Sequence, residues 1–225
     1  MEWKEYLELS EKTLSNEFHI EDKKYEYLLH ATIGILTEVE ELLDNHLGEV
    51  DSVNVLEEVG DITWYLAIIG REYNINLPES LPLSNEDPMK IVLSIVKQTC
   101  KLLDFLKKKI YYNKPINEDE FKQTTLVIMI LLQSYMNHFK IDIKNSFDIN
   151  INKLKSRYGD KFSSDKAINR DLDLEREILE SGKSETPQKK KINPKRIPNT
   201  SQMYLDGVNN RIRNYPSDTS KMYID

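Results

Sequence analysis

Ile35-Leu-Thr-Glu-Val-Glu-Glu-Leu-Leu-Asp44 and Leu56-Glu-Glu-Val-Gly-Asp-Ile-Thr-Trp-Tyr-Leu66 decide how this chain reads. Glu38 and Glu41 stand three residues apart, as do Glu58 and Asp61, so each pair projects from one face of a helix. If the two helices pack antiparallel, four carboxylates converge in one small volume. Anions crowded in this way repel and call for a cation. Hard oxygen donors with no nearby Cys or His select Mg²⁺, with Mn²⁺ as the substitute. One Glu-x-x-Glu pair would read as a solvated acidic face, but two pairs on consecutive helices, each beside an apolar stripe, do not. Gly60 adds weight, because a glycine inside a helix costs about 1 kcal/mol against alanine, and close helix packing is the expected reason for it.

Outward from these motifs the chain reads as helix after helix. The 3.6-residue pattern predicts helices over 2–16, 24–46, 52–73, 88–111, 118–139 and 144–157, with a weaker one over 165–179. The second carries a stripe of Leu28, Leu29, Ile33, Leu36, Val39 and Leu43, and Gly48 follows as its stop signal. Pro78 and Pro82 bound a loop. No run alternates as a strand would, and the class is all-α, a helical bundle over residues 1–180. Residues 181–225 are rich in Pro, Lys, Asn and Ser and read as a disordered tail, with one short helical piece near 201–212.

Bulk composition agrees. The chain has 225 residues with 39% apolar, enough for a core, and only 7 Gly and 8 Pro, too few for a many-turned β protein. Its one cysteine, Cys100, allows no intrachain disulfide and fits a reducing cytoplasm; its apolar helical setting reads as a small core residue. The acidic N-terminus is no signal peptide, and the longest apolar run, Leu126 to Leu132, is too short to span a membrane. The net charge of −7 divides into −12 over residues 1–180 and +5 over 181–225. An acidic body argues against stable nucleic-acid binding.

An internal repeat is visible. Ile35 to Asp44 aligns with Ile95-Val-Lys-Gln-Thr-Cys-Lys-Leu-Leu-Asp104, and Tyr73-Asn-Ile-Asn-Leu-Pro-Glu-Ser80 aligns with Phe139-Lys-Ile-Asp-Ile-Lys-Asn-Ser146. The second unit, 88–146, has lost the acids of the first, 24–77: Gln98, Lys101, Thr124 and Val127 stand opposite Glu38, Glu41, Glu58 and Asp61.

A metal held by the four acids can neutralise phosphate charge, lower the pKa of a bound water and orient it for in-line attack, and a spare carboxylate can take the proton. Other chemistries fail on inventory. No phosphate-cradling Gly-rich loop is present, and none of His19, His30, His46 and His138 sits in a His-Asp or His-Glu-x-x-His arrangement. The histidines read as surface or cap residues; His30, two turns before Glu38, is the least secure of these.

With these motifs the chain resembles the MazG-like family of the all-α nucleoside triphosphate pyrophosphatase superfamily. The resemblance rests on Glu38-x-x-Glu41, sixteen intervening residues and Glu58-Val-Gly-Asp61 with its apolar-aromatic run, and on the stretch from Asn152 through Arg157-Tyr-Gly to Ser163 followed by Asn169-Arg-Asp171. It covers residues 1–77 and 141–176 and departs from the family pattern at Glu40, where Gly is usual. It implies hydrolysis of a nucleoside triphosphate to a monophosphate and pyrophosphate, with Glu38, Glu41, Glu58 and Asp61 holding Mg²⁺ and Glu38 preferred for activating the water. Lys153, Arg157 and Lys161, within the tail motif 150–176, would meet the phosphates. Tyr65, one turn after Asp61, would approach the substrate, and Trp64 would be core.

Since family sites form where helix pairs of two subunits meet, the acid-free repeat implies a pseudo-dimer like that of dimeric dUTPases. One live site per chain is expected, with further association into a homo-oligomer. The substrate stays open among canonical dNTPs, dUTP, damaged NTPs and guanosine alarmones, with a weak preference for a purine dNTP. The alternative is a non-catalytic helical binding or regulatory module that keeps the bundle for assembly, and the basic tail is its main support.

Overall fold

Polar punctuation sets the helix ends. Asp51 accepts a hydrogen bond from Val53 N, Asp87 from Met89 N with Pro88 at the first helical position, Asn117 from Glu120 N, and Asp142 from Asn145 N. The structure, a computed structural model, describes residues 1–15, 17–47, 50–76, 83–159 and 161–182. Its helices are α1 (Trp3–Glu11), α2 (Lys23–Leu47), α3 (Ser52–Tyr73), α4 (Pro88–Tyr112), α5 (Glu118–His138), α6 (Ile143–Tyr158), α7 (Ser164–Ile168) and α8 (Leu172–Ser181). No strand occurs among the described residues. No helix among them is long and apolar enough to cross a membrane. The described residues fall within one compact unit, Met1–Ser184. The stop signal at Gly48, the loop prolines Pro78 and Pro82, and the tail from residue 183, with the helical piece near 201–212, lie outside the described residues.

The α2–α3 hairpin packs against the α4–α5 hairpin, chiefly through α2 on α4. One apolar core joins them, with Leu28, Ile35, Val39 and Leu42 of α2, Val59, Ile62 and Ile69 of α3, Ile91, Ile95 and Leu102 of α4, and Phe121 and Ile128 of α5 all buried. The buried edge of α2 runs through Leu28, Ala31, Ile35, Val39 and Leu42, displaced from the expected stripe; Ile33 is 48% exposed. Two helices, α3 and α4, press on α2 from different sides, so its buried arc is wider and centred elsewhere than a one-sided stripe.

Equivalent positions of the two hairpins behave alike. Ile35 and Ile95 are both fully buried, as are Leu42 and Leu102. Asn74 ends α3 in the left-handed region (φ 53°), and Lys140 does the same after α5 (φ 56°). The next residue in each case donates back five positions, Ile75 N to Gly70 O at 2.8 Å and Ile141 N to Met136 O at 2.9 Å.

Three expectations change. The weak helix over 165–179 is two helices, because Asp171 accepts from Leu174 N and starts α8 afresh after Asn169 has folded back onto Asp165. Cys100 is exposed, because its register on α4 points away from the stripe of Ile95, Thr99 and Leu102. Trp64 is only partly buried and lines a cleft.

A second, smaller apolar cluster positions the site. Val53 and Leu56 of α3 pack with Ile149 of α6 and Leu179 of α8. This fastens α6 and α8 along α3 beside its acids.

Candidate metal and phosphate site

Three of the four acids come together. Glu38 on α2 and Glu58 and Asp61 on α3 each present a carboxylate oxygen, all within 4.8 Å of one another. Glu41 lies outside this group of three, but its carboxyl, like that of Glu38, is near enough to Glu58 to influence its ionisation. Glu58 is only 5% exposed. Burial, then the charges of Glu41 and Glu57, push its carboxyl up to about 10, and burial with Asp61 and Glu41 raises Glu38 to about 7. Carboxyls that hold protons at neutral pH for want of a counter-charge are what a divalent cation would relieve. The donor set is hard oxygen only, the kind that suits a hard divalent cation such as Mg²⁺.

A layer of polar partners stands behind Asp61. Asn150 Nδ2 donates to Asp61 Oδ1 at 2.6 Å, and Lys153 Nζ donates to Asp61 Oδ2 at 2.6 Å and to Glu57 Oε1 at 3.1 Å. α6 lies close at Gly60: a Cβ there would crowd the Asn150 side chain, with Nδ2 at 3.0 Å. Lys153 is fully buried. Burial alone would pull its ammonium down, but Asp61 and Glu57 outweigh this and hold it above its ordinary value.

Further out, Glu175 of α8 accepts from Arg157 at 2.7 and 2.6 Å and from Arg170 at 3.1 and 2.6 Å. Although burial opposes ionisation, these two guanidiniums hold Glu175 down at about 2. Arg170 also reaches Glu57 at 3.4 Å.

The acids open on a cleft of about 620 Å³ between α2, α3 and the α6–α7 segment, within the roughly 300–1,000 Å³ of small-molecule sites. Its wall runs from Glu38, Glu41 and Asp61 to Lys155, Arg157, Lys161 and Arg170. Aromatic side chains complete it. His30 meets Tyr65 edge-on at 5.6 Å and Trp64 at 6.4 Å, and Phe162 lies 5.2 Å from Tyr158. Burial, aided by Glu38 and Asp61, raises the Tyr65 hydroxyl to about 12, which keeps it a neutral donor. A second cavity of about 360 Å³, lined by Leu66, Met129, Leu132, Met136 and Phe147 among others, holds none of the acids.

Of the basic residues expected to meet phosphates, Arg157 and Lys161 line the cleft, whereas Lys153 sits inside the protein against Asp61. Sequence reading missed Asn150, Glu57, Arg170, Glu175 and Gly34. Asn150, Lys153 and Arg157 share a face of α6 at i, i+3 and i+7, a signal available in the sequence. Glu175 gave no such signal, since its partners come from other segments.

No family model matches the chain, no curated protein matches it, and no solved structure matches it. Geometry therefore carries the functional reading.

Proposed function

We propose that the chain is a Mg²⁺-dependent nucleoside triphosphate pyrophosphohydrolase, releasing a nucleoside monophosphate and pyrophosphate. The observation that carries this is the convergence of Glu38, Glu58 and Asp61 beside a cleft whose lining combines acids, basic side chains and aromatic rings. That combination suits a triphosphate with its cation at the acids, its phosphates near Arg157 and Lys161, and its base among the rings. Bound Mg²⁺ would supply charge neutralisation and an acidified water. The chain's own groups do the rest. Glu38, with its raised pKa, is placed to take a proton from a water at the acids. Glu175 fixes the direction of Arg157, and Tyr65 offers a neutral hydroxyl beside Glu38.

The same reading holds that the two hairpins are a duplicated unit of the MazG-like type with one site per chain. The matched buried positions and the paired left-handed turns at Asn74 and Lys140 support it. α1 buries no residue and leaves Trp3 69% exposed, an apolar face that a second copy could cover.

Purified protein with Mg²⁺ and a panel of nucleoside triphosphates should release pyrophosphate, and Glu58→Gln should abolish the release. Release of single phosphates would put the cleavage elsewhere in the chain of phosphates. A folded protein with no turnover of any nucleotide would return the bundle to a binding or regulatory role.

A further inference from the structure

We propose that Lys153 is a permanent internal cation of the acid site, a positioning residue that fills one of its cation positions and does not meet the substrate's phosphates. The inference rests on the metal-site reading above and deepens it. Lys153 is fully buried and absent from the cleft wall, where Lys155, Arg157, Lys161 and Arg170 are exposed to a ligand. Its ammonium bridges Asp61 Oδ2 at 2.6 Å and Glu57 Oε1 at 3.1 Å. A lysine is almost never found fully buried unless paired, and here the pairing is with Asp61 of the acid group and with Glu57, which is not one of its three members.

The surroundings lock this arrangement. Asn150 holds the other oxygen of Asp61 at 2.6 Å, and Arg170 approaches the same Glu57 oxygen at 3.4 Å. To reach a phosphate, Lys153 would have to leave two largely buried carboxylates behind, a costly break of a buried pair. Lys153 therefore supplies at one end of the row of acids the positive charge that a divalent ion supplies at the other. Two consequences are expected: the hairpins assemble around their acids before any metal arrives, and Glu38, Glu58 and Asp61 act as a single group for one divalent ion.

The two roles predict opposite signs in one measurement. A fixed ammonium beside the site competes with the ion for the field of Asp61, and at an effective dielectric near 20 a unit charge a few ångströms from a divalent ion changes its affinity by several powers of ten; relaxation and water entry around the cut side chain reduce this, so a gain of about tenfold is the minimum expected. Mn²⁺ binding to the full chain, followed by electron paramagnetic resonance, should give one ion per chain. Lys153→Met should lower the metal-free melting temperature yet bind Mn²⁺ about tenfold more tightly. A lysine that only props up the fold would weaken both, and equal or weaker Mn²⁺ binding in the variant overturns the proposal. No Mn²⁺ bound by the unaltered chain would overturn the metal-site reading and this proposal with it; binding by the unaltered chain without the gain in the variant overturns this proposal alone.

Should Lys153→Met fail to fold, the unaltered protein still decides. A buried ammonium exchanges its hydrogens slowly and gives its own ¹⁵N NMR signal. That signal should persist, little shifted, on adding Mg²⁺ with an α,β-imido deoxynucleoside triphosphate. Its loss, or a shift that tracks the phosphates, overturns the proposal.

Discussion

The ring of Tyr65 occupies the space where a side chain at residue 34 would begin. Gly34 lies in mid-helix on α2, and a Cβ added there would run into the Tyr65 ring. The glycine thus lets an α3 aromatic lie against α2 one turn before Glu38, at the rim of the cleft. Gly34→Ala should push the ring outward. Because the ring is the free end of its side chain, and alanine gains about 1 kcal/mol in helix propensity, stability should stay within about 1 kcal/mol of the parent. KM for the nucleotide should rise severalfold. Paired denaturation and steady-state kinetics check this, and an unchanged KM would detach Tyr65 from the substrate.

Metal-free stability should fall as pH rises. Glu38 and Glu58 have folded pKa values raised from 4.5 to about 7 and about 10. Above 4.5 the unfolded chain gives up these protons while the folded chain keeps them, so the folded state binds more protons and loses ground with each step upward. Denaturation in EDTA from about pH 5 to about pH 9 should show the decline, and saturating Mg²⁺ should flatten it. Calorimetry in buffers of different ionisation heat should detect protons released as Mg²⁺ binds.

Two isosteric changes a turn apart should have opposite effects on the fold. Glu58→Gln replaces a carboxyl that is already neutral in the metal-free protein at pH 7, so it should leave that form as stable or more so. Asp61→Asn leaves the buried Lys153 with Glu57 alone and should cost about 2–4 kcal/mol. Both should reduce turnover by 100-fold or more. Denaturant midpoints with and without EDTA separate the two.

The Arg157–Glu175–Arg170 clamp should fail in acid. Glu175 is held at about 2 against an ordinary 4.5, so its contribution is complete above 4.5 and disappears as pH falls from there toward 2. Glu175→Gln should remove that part of the acid transition. At pH 7 it should also raise KM more than it lowers kcat, since Arg157 loses its direction while the metal acids are untouched. Equal effects on both constants would argue against a phosphate role for Arg157.

The bundle was legible because apolar periodicity and capping residues act over short stretches of chain. Asp51, Asp87 and Asn117 each announce a helix on their own. The acid cluster was legible for the same reason, since i,i+3 spacing fixes a common face. What escaped depends on which elements press against which. The buried edge of α2 moved to Ile35 and Leu42 because α3 and α4 load it from two sides. Lys153 read as a phosphate-facing cation because nothing within α6 says that this helix lies close against Gly60 of α3. Glu175 lies eighteen residues from Arg157 across a helix break, beyond any local pattern.

Cys100 is the sole thiol of the chain, and it stands exposed on α4, on the hairpin that carries none of the acids. One spin label or dye can therefore be attached at a unique point without editing the sequence or touching the cleft. Dipolar distances between such labels on neighbouring copies would give subunit number and spacing directly, and would follow any rearrangement on adding Mg²⁺ or nucleotide.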